Sequence, residues 1–380
     1  MHGCRFKQVL PAHRAGFTWV ELLVVIAILA LLAAMILPSV RNARTPAHRT
    51  QCQSNLRNVG IAMQAYATAR HGDLPPLTGA YEIANPHPDK RSGETIPAPW
   101  SVVLLPYMEQ ATLNDQLRSH PTRDEFQKLA QTTIETYRCP SATTTPDAGG
   151  LSYVVNVGMI AEDIWSTTGR DSVYSATSYD FGFNGYGAGN RNADDAEAAY
   201  CSGVFWSVPV GTAKTDATPH PLSLDQISTY DGTSQTVLLT ENLQTRSYDP
   251  QTGTGGWISN ELGDIAFGIA VPGTRVEDGF QVASSDIPGG LGVAGGGLAT
   301  ALTLSHTPVP PQCRINANLT AVADGRSPRP SSLHPHCVNM AFADGSCKVI
   351  SDQIDASVYA RLLSPRGGAR GQKVLGDADF

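Results

Sequence analysis

Phe17–Leu37, FTWVELLVVIAILALLAAMIL, is an apolar run of 21 residues broken by a single charge, Glu21. As a helix rising about 1.5 Å per residue it is about 32 Å long, the thickness of a bilayer core. Arg5, Lys7, Arg14 and then Ala15-Gly16 precede it, and Arg41, Arg44 and Arg49 follow. A secretory signal peptide is cut after its apolar run. Here the small residues stand before the run, so a cut between Gly16 and Phe17 leaves the apolar helix on the mature chain. A carboxylate at membrane depth costs about 2.5–3.5 kcal/mol, so Glu21 needs a partner there. The competing reading is a plain single-pass anchor, which requires neither that glycine nor that glutamate.

Beyond this run the sequence supports a large exterior domain. The chain has 380 residues, 41% of them hydrophobic, enough for a sizeable core. Only 16% are charged, while Gly (36) and Pro (26) are abundant, which points to a turn-rich α+β domain and away from a helical bundle. The net charge is −7; loss of residues 1–16 removes three basic residues and deepens it. An acidic chain with no basic cluster beyond the helix flank argues against nucleic acid as a partner.

Seven cysteines occur. Cys4 precedes the cut, leaving Cys52, Cys139, Cys201, Cys313, Cys337 and Cys347, enough for three disulfides in about 15 connectivities. None has C-x-x-C spacing, so the sequence gives a zinc or thioredoxin-type site little support, and no metal ligand is assigned. A calcium site built from loop carboxylates has no localised candidates. Walker, Rossmann, G-x-S-x-G and H-E-x-x-H patterns do not occur, and the chain reads as a non-enzyme with no assigned cofactor.

Along the chain, Pro38 is expected to end or kink the apolar helix and Pro46 to bend it again. Cys52, Leu56, Val59, Met63 and Tyr66 recur at helical spacing, one apolar stripe that Gly72 and Pro75-Pro76 terminate. Residues 85–99 read as a Pro-rich loop, and 100–117 as a short helix broken near Pro106. Residues 162–199 read as a long inserted loop, 288–297 and 308–311 as connectors, and 367–380 as a frayed tail. Asp231-Gly232 marks a turn before a strand over 236–240; Glu241 beyond it has two readings, a cation ligand or interface charge, or a surface carboxylate, and the second is favoured. Val338–Phe342 alternates like a half-buried strand, and Asp344-Gly345 signals a type I′ hairpin with the return strand over 346–351. That two-residue turn sets Phe342 opposite Cys347 and Cys337 opposite Asp352, so Cys337 and Cys347 do not bond each other. Val338, Met340, Phe342, Cys347 and Val349 then share the face turned to the helix stripe. His334 has two readings, a metal or catalytic histidine paired with Asp344, or a buried histidine that bonds backbone and fixes the start of the strand. About ten strand residues, roughly 33 Å, separate it from the hairpin tip, which favours the second.

RAGFTWVELLVVIAILALLAAMILP resembles the type IV prepilin signal, G-F-T-L-x-E-L-L-V-V-I-A-I. The resemblance implies cleavage between Gly16 and Phe17 by a prepilin peptidase, N-methylation of Phe17, and pairing of Glu21 with the N-terminal amine of a neighbouring subunit. A second resemblance covers most of the remaining chain. TQCQSNLRNVGIAMQAYA (50–67), PWSVVLLPYMEQATLNDQL (99–117), YRCPS (137–141), SYVVNVG (152–158), ISTYDGTSQTVLLTEN (227–242) and RPSSLHPHCVNMAFADGSCKVI (329–350) are similar, in order, to the blocks of a bacterial prepilin-like family of unknown function. That family ends in an H-x9-D-G box, here His334, Asp344 and Gly345. Pro46, and His336-Cys337 where Gly-Gly is usual, depart from the pattern.

The resemblances imply a leader over 1–16, a membrane helix over 17–38, its soluble continuation over 39–72, and a pilin-like head over 73–366. The expected fold is α+β, a long N-terminal helix packed on an antiparallel sheet with large loop insertions. The expected function is that of a type IV pilin-like or type II secretion pseudopilin-like subunit in the cytoplasmic membrane, its head in the periplasm or at the cell surface. The implied partners are prepilin peptidase, other pilin-like subunits or secretion machinery, and membrane lipid. The alternative is an exported, membrane-tethered binding module that does not polymerise.

Overall fold

The computed structural model describes residues 18–83, 94–119, 121–142, 149–161, 200–208, 221–271, 274–276, 279–281, 314–316, 329–370, 372 and 374–376. For residues 35–45, 94, 159–161, 270–271, 274–276, 279–281, 356 and 370 it describes the backbone alone. Gly16, Phe17, Cys4, Cys313 and the proposed insertion and connectors over 162–199, 288–297 and 308–311 lie outside. The chain divides into two compact units, Met1–Ala47 and His48–Phe380.

Helix α1 (Trp19–Ala69) starts in the first unit, just after Thr18, and ends in the second. Thr18 and Glu21 form a reciprocal cap. The Thr18 amide and hydroxyl each donate to Glu21 Oε2 at 2.9 Å, and the Glu21 amide donates to Thr18 Oγ1 at 3.3 Å. Val20, Leu22, Ile26, Leu29 and Leu31 are all exposed. Among the described residues no helix is long and apolar enough to cross a membrane. Pro38 does not end the helix and Pro46 does not interrupt it: α1 is continuous from Trp19 to Ala69, as the membrane half and its soluble continuation together require.

The second unit carries the core. The helix stripe is as the spacing predicts: Cys52, Leu56, Val59 and Met63 are fully buried and Tyr66 nearly so. The helix ends where His71 (φ 59°) and Gly72 (φ 98°) turn left-handed. Strands β1 (Thr78–Ile83) and β2 (Glu94–Pro99) pair antiparallel, so the last part of the expected Pro-rich loop is a strand. There follow α2 (Trp100–Val103), a 3-10 turn at Leu105–Tyr107 and α3 (Ala111–Arg118), the broken helix expected around Pro106. Helix α4 (Arg123–Ala130) starts at a capping box from Thr122 to Glu125.

The main sheet uses β3 (Tyr153–Ala161), β4 (Val237–Glu241), β5 (Ala266–Val271), β8 (Cys337–Phe342) and β9 (Cys347–Ser351) in the order β5-β3-β4-β8-β9. Three of its pairings are antiparallel, but β3 and β5 run parallel, so the sheet is mixed and not antiparallel throughout. Short strands β6 (Thr274–Val276) and β7 (Gly279–Gln281) form a separate hairpin. Helices α5 (Leu224–Thr229), α6 (Leu262–Ile265) and α7 (Ala356–Leu363) complete the unit.

The β8–β9 hairpin corrects the expected register by one residue. Ala341 pairs with Cys347 and Cys337 with Ser351. Of the two turn residues only Gly345 has positive φ (82°), so Asp344 does not adopt the type I′ conformation. The Phe342 amide bonds Ser346 O at 2.9 Å and the Gly345 amide bonds Phe342 O at 2.9 Å, a three-residue loop closed by a left-handed glycine. Tertiary bonds favour it: the Ala343 and Asp344 amides donate to Thr236 O and Thr233 O at 3.0 and 3.1 Å. A one-residue shift exchanges faces. Cys347 and Val349 therefore join Cys337, Asn339 and Ala341, and this face, not the Met340–Phe342 one, meets the helix: Gly60 abuts Ala341. Gln64 Nε2 donates to Ala343 O at 3.2 Å.

The C-terminal segment is also more ordered than a frayed tail. Gly367–Arg370 is a 3-10 turn whose Gly367 and Gly368 amides donate to buried Asp231 at 2.7 and 2.9 Å, and Leu375 is buried.

Candidate functional site

Four side chains from distant parts of the chain converge beneath the N-terminal turns of the helix stripe. Cys52 lies on α1, Cys139 just beyond the 3-10 turn Glu135–Tyr137, Glu241 at the end of β4, and His334 on the segment leading into β8. Their sulfur, oxygen and nitrogen atoms all lie within 4.8 Å of one another. None of the four is more than 2% exposed.

Cys52 and Cys139 form a disulfide across 87 residues of sequence. Local bonds hold the two arms. Asn55, one turn along the helix, donates through Nδ2 to Glu135 O at 3.2 Å and Arg138 O at 2.8 Å. The Tyr153 hydroxyl donates to Cys52 O at 3.3 Å, and burial raises that phenol well above its ordinary pKa. The Tyr137 hydroxyl donates to Ser101 O at 2.6 Å. These bonds leave the Cys139 backbone little freedom relative to the helix.

Beside the disulfide stands an acid–base pair. His334 Nε2 lies 3.2 Å from Glu241 Oε1 and 3.7 Å from Cys139 Sγ. Glu241 is a buried acceptor, corrected from the surface carboxylate the sequence suggested. The Asn339 amide donates to its Oε2 at 2.9 Å and Asn339 Nδ2 to its Oε1 at 3.0 Å, so both oxygens are bound. The His334 backbone amide donates to Ser332 Oγ at 3.1 Å, and that hydroxyl donates to Cys337 O at 2.6 Å. His334 is thus the buried histidine of the second reading, although its ring pairs with Glu241 and not with backbone. His334 Nδ1 has no protein partner among the described residues. A buried polar atom left unpaired costs about 1–3 kcal/mol.

Asp344 is not brought to His334. It sits on the exposed hairpin tip, with Oδ1 accepting from the Ser346 amide at 2.8 Å. Gly345 serves that turn. Cys201 and Cys337 are buried, and Cys347 is half-buried. Burial raises the Cys337 thiol and pushes that of Cys347 up to about 12. Glu21 belongs to the helix cap described above. His336 adopts φ 56°, a left-handed step into β8 that glycine, the residue usual in the resembled pattern, would take without strain.

No run of closely spaced ligands marks this site in the sequence, because its members are separated by dozens to hundreds of residues. A signal was nevertheless present. Cys52, Cys139, Glu241 and His334 each come from a different one of the blocks that carried the second resemblance.

Elsewhere, a concavity of about 270 Å³ lies between β1, β2 and α4, lined mainly by apolar groups including Tyr81, Ile96, Pro97, Leu117 and Phe126. It shares no residue with the four-residue cluster.

Residues 41–357 match the family described as "Protein of unknown function (DUF1559)". The chain belongs to this family. Residues 11–37 of the DUF1559 protein match the prokaryotic N-terminal methylation motif, which marks it as type IV pilin-like at its N-terminus. No curated protein and no solved structure matches. Neither family description carries a catalytic activity.

Proposed function

We propose that this DUF1559 protein is a pilin-like or pseudopilin-like structural subunit of the cytoplasmic membrane. The N-terminal methylation motif over residues 11–37 carries the reading. Prepilin peptidase cuts between Gly16 and Phe17 and methylates the new amine. Residues 17–38 hold the chain in lipid and supply the surface along which subunits pack. The side chains described from Trp19 to Ala34 are apolar and exposed apart from Glu21, which suits either a lipid or a helical neighbour. Glu21 has two competing uses. It caps its own helix through Thr18, and in an assembly it meets the amine of the next subunit. The second requires that the Thr18 bonds be exchanged.

Two measurements test the reading. Mass spectrometry of the mature N-terminus is expected to give N-methyl-Phe17; a start beyond residue 38 eliminates the proposal. Glu21→Ala is expected to abolish assembly and reduce methylation, while Thr18→Ala, which removes only the hydroxyl bonds of the cap, leaves both largely intact. Equal behaviour of the two variants would assign Glu21 to capping alone.

The apolar concavity over Tyr81, Ile96 and Phe126 favours a second reading, an exported tethered module that binds an apolar ligand and does not polymerise. Shearing distinguishes them: filament subunits are released in bulk, whereas tethered molecules stay with the membrane fraction.

A further inference from the structure

We propose that Cys52, Cys139, His334 and Glu241 form a zinc site whose occupancy alternates with the Cys52–Cys139 disulfide. The donor set is two sulfurs, one imidazole and one carboxylate, which matches a tetrahedral divalent zinc ion. With Zn–S about 2.3 Å and Zn–N and Zn–O near 2.0–2.1 Å, tetrahedral edges are about 3.4 Å for N···O and about 3.6 Å for N···S. The observed separations are 3.2 Å from His334 Nε2 to Glu241 Oε1 and 3.7 Å from that nitrogen to Cys139 Sγ. Half of the coordination shell therefore already stands at metal-site spacing. Only the two sulfurs must part, from bonding distance to about 3.8 Å.

Electrostatics permits the exchange. Two thiolates and one divalent cation sum to zero, so exchanging the disulfide for the loaded pair adds no net charge to the site. The dry interior is thus asked to hold the same charge in either state. Asn339 remains available as the outer partner that orients Glu241, donating to both of its oxygens.

The exchange is balanced as follows. A dithiol reductant, of the exported thiol–disulfide oxidoreductase class, gives two electrons and two protons to the Cys52–Cys139 bond and becomes a disulfide itself. The two thiols then lose their protons as they bind the cation. In the reverse direction a disulfide oxidant takes two electrons from the two thiolates and two protons from water and becomes a dithiol, the Cys52–Cys139 bond re-forms, and the cation leaves. Because all four groups are buried, loading accompanies folding or opening of the globular unit. This inference does not depend on the pilin reading.

The test uses the full chain in detergent, unfolded and refolded either oxidised or with a phosphine reductant, with cobalt(II) as an optical probe and zinc as competitor. The reduced wild type is expected to take one equivalent of cobalt, with a thiolate-to-cobalt charge-transfer band and strong tetrahedral visible bands that zinc abolishes. The oxidised chain is expected to take none. His334→Gln and Glu241→Gln should weaken cobalt binding at least tenfold. Since either variant risks misfolding, the wild type supplies a second readout. Zinc should protect Cys52 and Cys139 from alkylation in the reduced chain, as mapped by mass spectrometry, and leave Cys201, Cys337 and Cys347 unchanged. The proposal is overturned if the refolded reduced chain binds no stoichiometric cobalt, if folded variants bind it as tightly as wild type, or if the chain refolds only when oxidised. Folding of the reduced chain only when metal is present supports it.

Discussion

Glu241 holds together more of the interior than any other charged residue near the cluster. It receives both Asn339 donors and faces His334, so Glu241→Ala strands three buried polar groups at once. A loss of about 2–4 kcal/mol is expected, measured as a fall in the urea midpoint with unchanged slope. His336 makes the opposite case. Its φ of 56° is unfavourable for a residue with a Cβ, and its side chain is exposed beside Asp352, 3.4 Å away. Replacing it by glycine should stabilise the protein by up to about 1 kcal/mol, whereas His336→Val should destabilise it. Denaturant titration of the pair reads the backbone contribution directly, since an exposed ion pair is worth little.

At the scale of elements, the β8–β9 hairpin shows how a turn motif and its surroundings negotiate register. The Asp-Gly pair marks the position of the turn, but the loop takes three residues because Thr233 and Thr236 accept the amides at its tip. Gly345 alone carries the left-handed conformation, and a Cβ there would also meet Gln64 Nε2 at 2.9 Å. Gly345→Ala should cost about 1 kcal/mol or more, while Asp344→Ala removes one exposed turn bond and should cost about half that or less. A type I′ turn would make Asp344→Gly stabilising; here it should not be. The shifted register turns Cys347 toward the helix, where burial raises its thiol. Maleimide labelling of Cys347 should therefore remain slow at pH 8 and not accelerate until well above it, even though the residue is only half-buried.

Across the whole molecule, two long-range ties join parts of the globular unit that are far apart in sequence. The Cys52–Cys139 link closes a loop of 87 residues, for which chain entropy gives about 4–5 kcal/mol. Cys139→Ser should lower stability by up to that amount, and reductant should do the same to wild type in the absence of metal. Asp231 ties the C-terminal turn to the segment between α5 and β4. Asp231→Ala leaves the Gly367 and Gly368 amides unpaired and should expose residues 367–376 to protease, with a loss of about 1–3 kcal/mol. Burial raises the Asp231 carboxyl, so the folded state holds its proton more tightly than the unfolded state does. The contribution of this group to stability consequently falls as pH rises from the ordinary carboxylate range to its raised value, and is flat above that.

The helix stripe, its stop at Gly72, the broken helix around Pro106 and the hairpin at Asp344-Gly345 were legible because spacing and turn chemistry act between near neighbours. The long helix itself was legible as a membrane half and its soluble continuation, but its unbroken passage through Pro46 was not, since a proline disfavours a helical turn without forbidding it. The parallel pairing of β3 with β5 and the one-residue slip of β8 against β9 depend on contacts between segments dozens of residues apart, which no local pattern encodes. The four-residue cluster is the plainest case. Its members could each be picked out from motif blocks, yet Glu241 read as an ordinary surface acid and His334 as a partner of backbone. Their meeting with Cys52 and Cys139 was decided by the packing of β4, the β8 approach and the 135–139 turn under one helix, because burial and mutual distance are properties of the closed fold and not of the linear order.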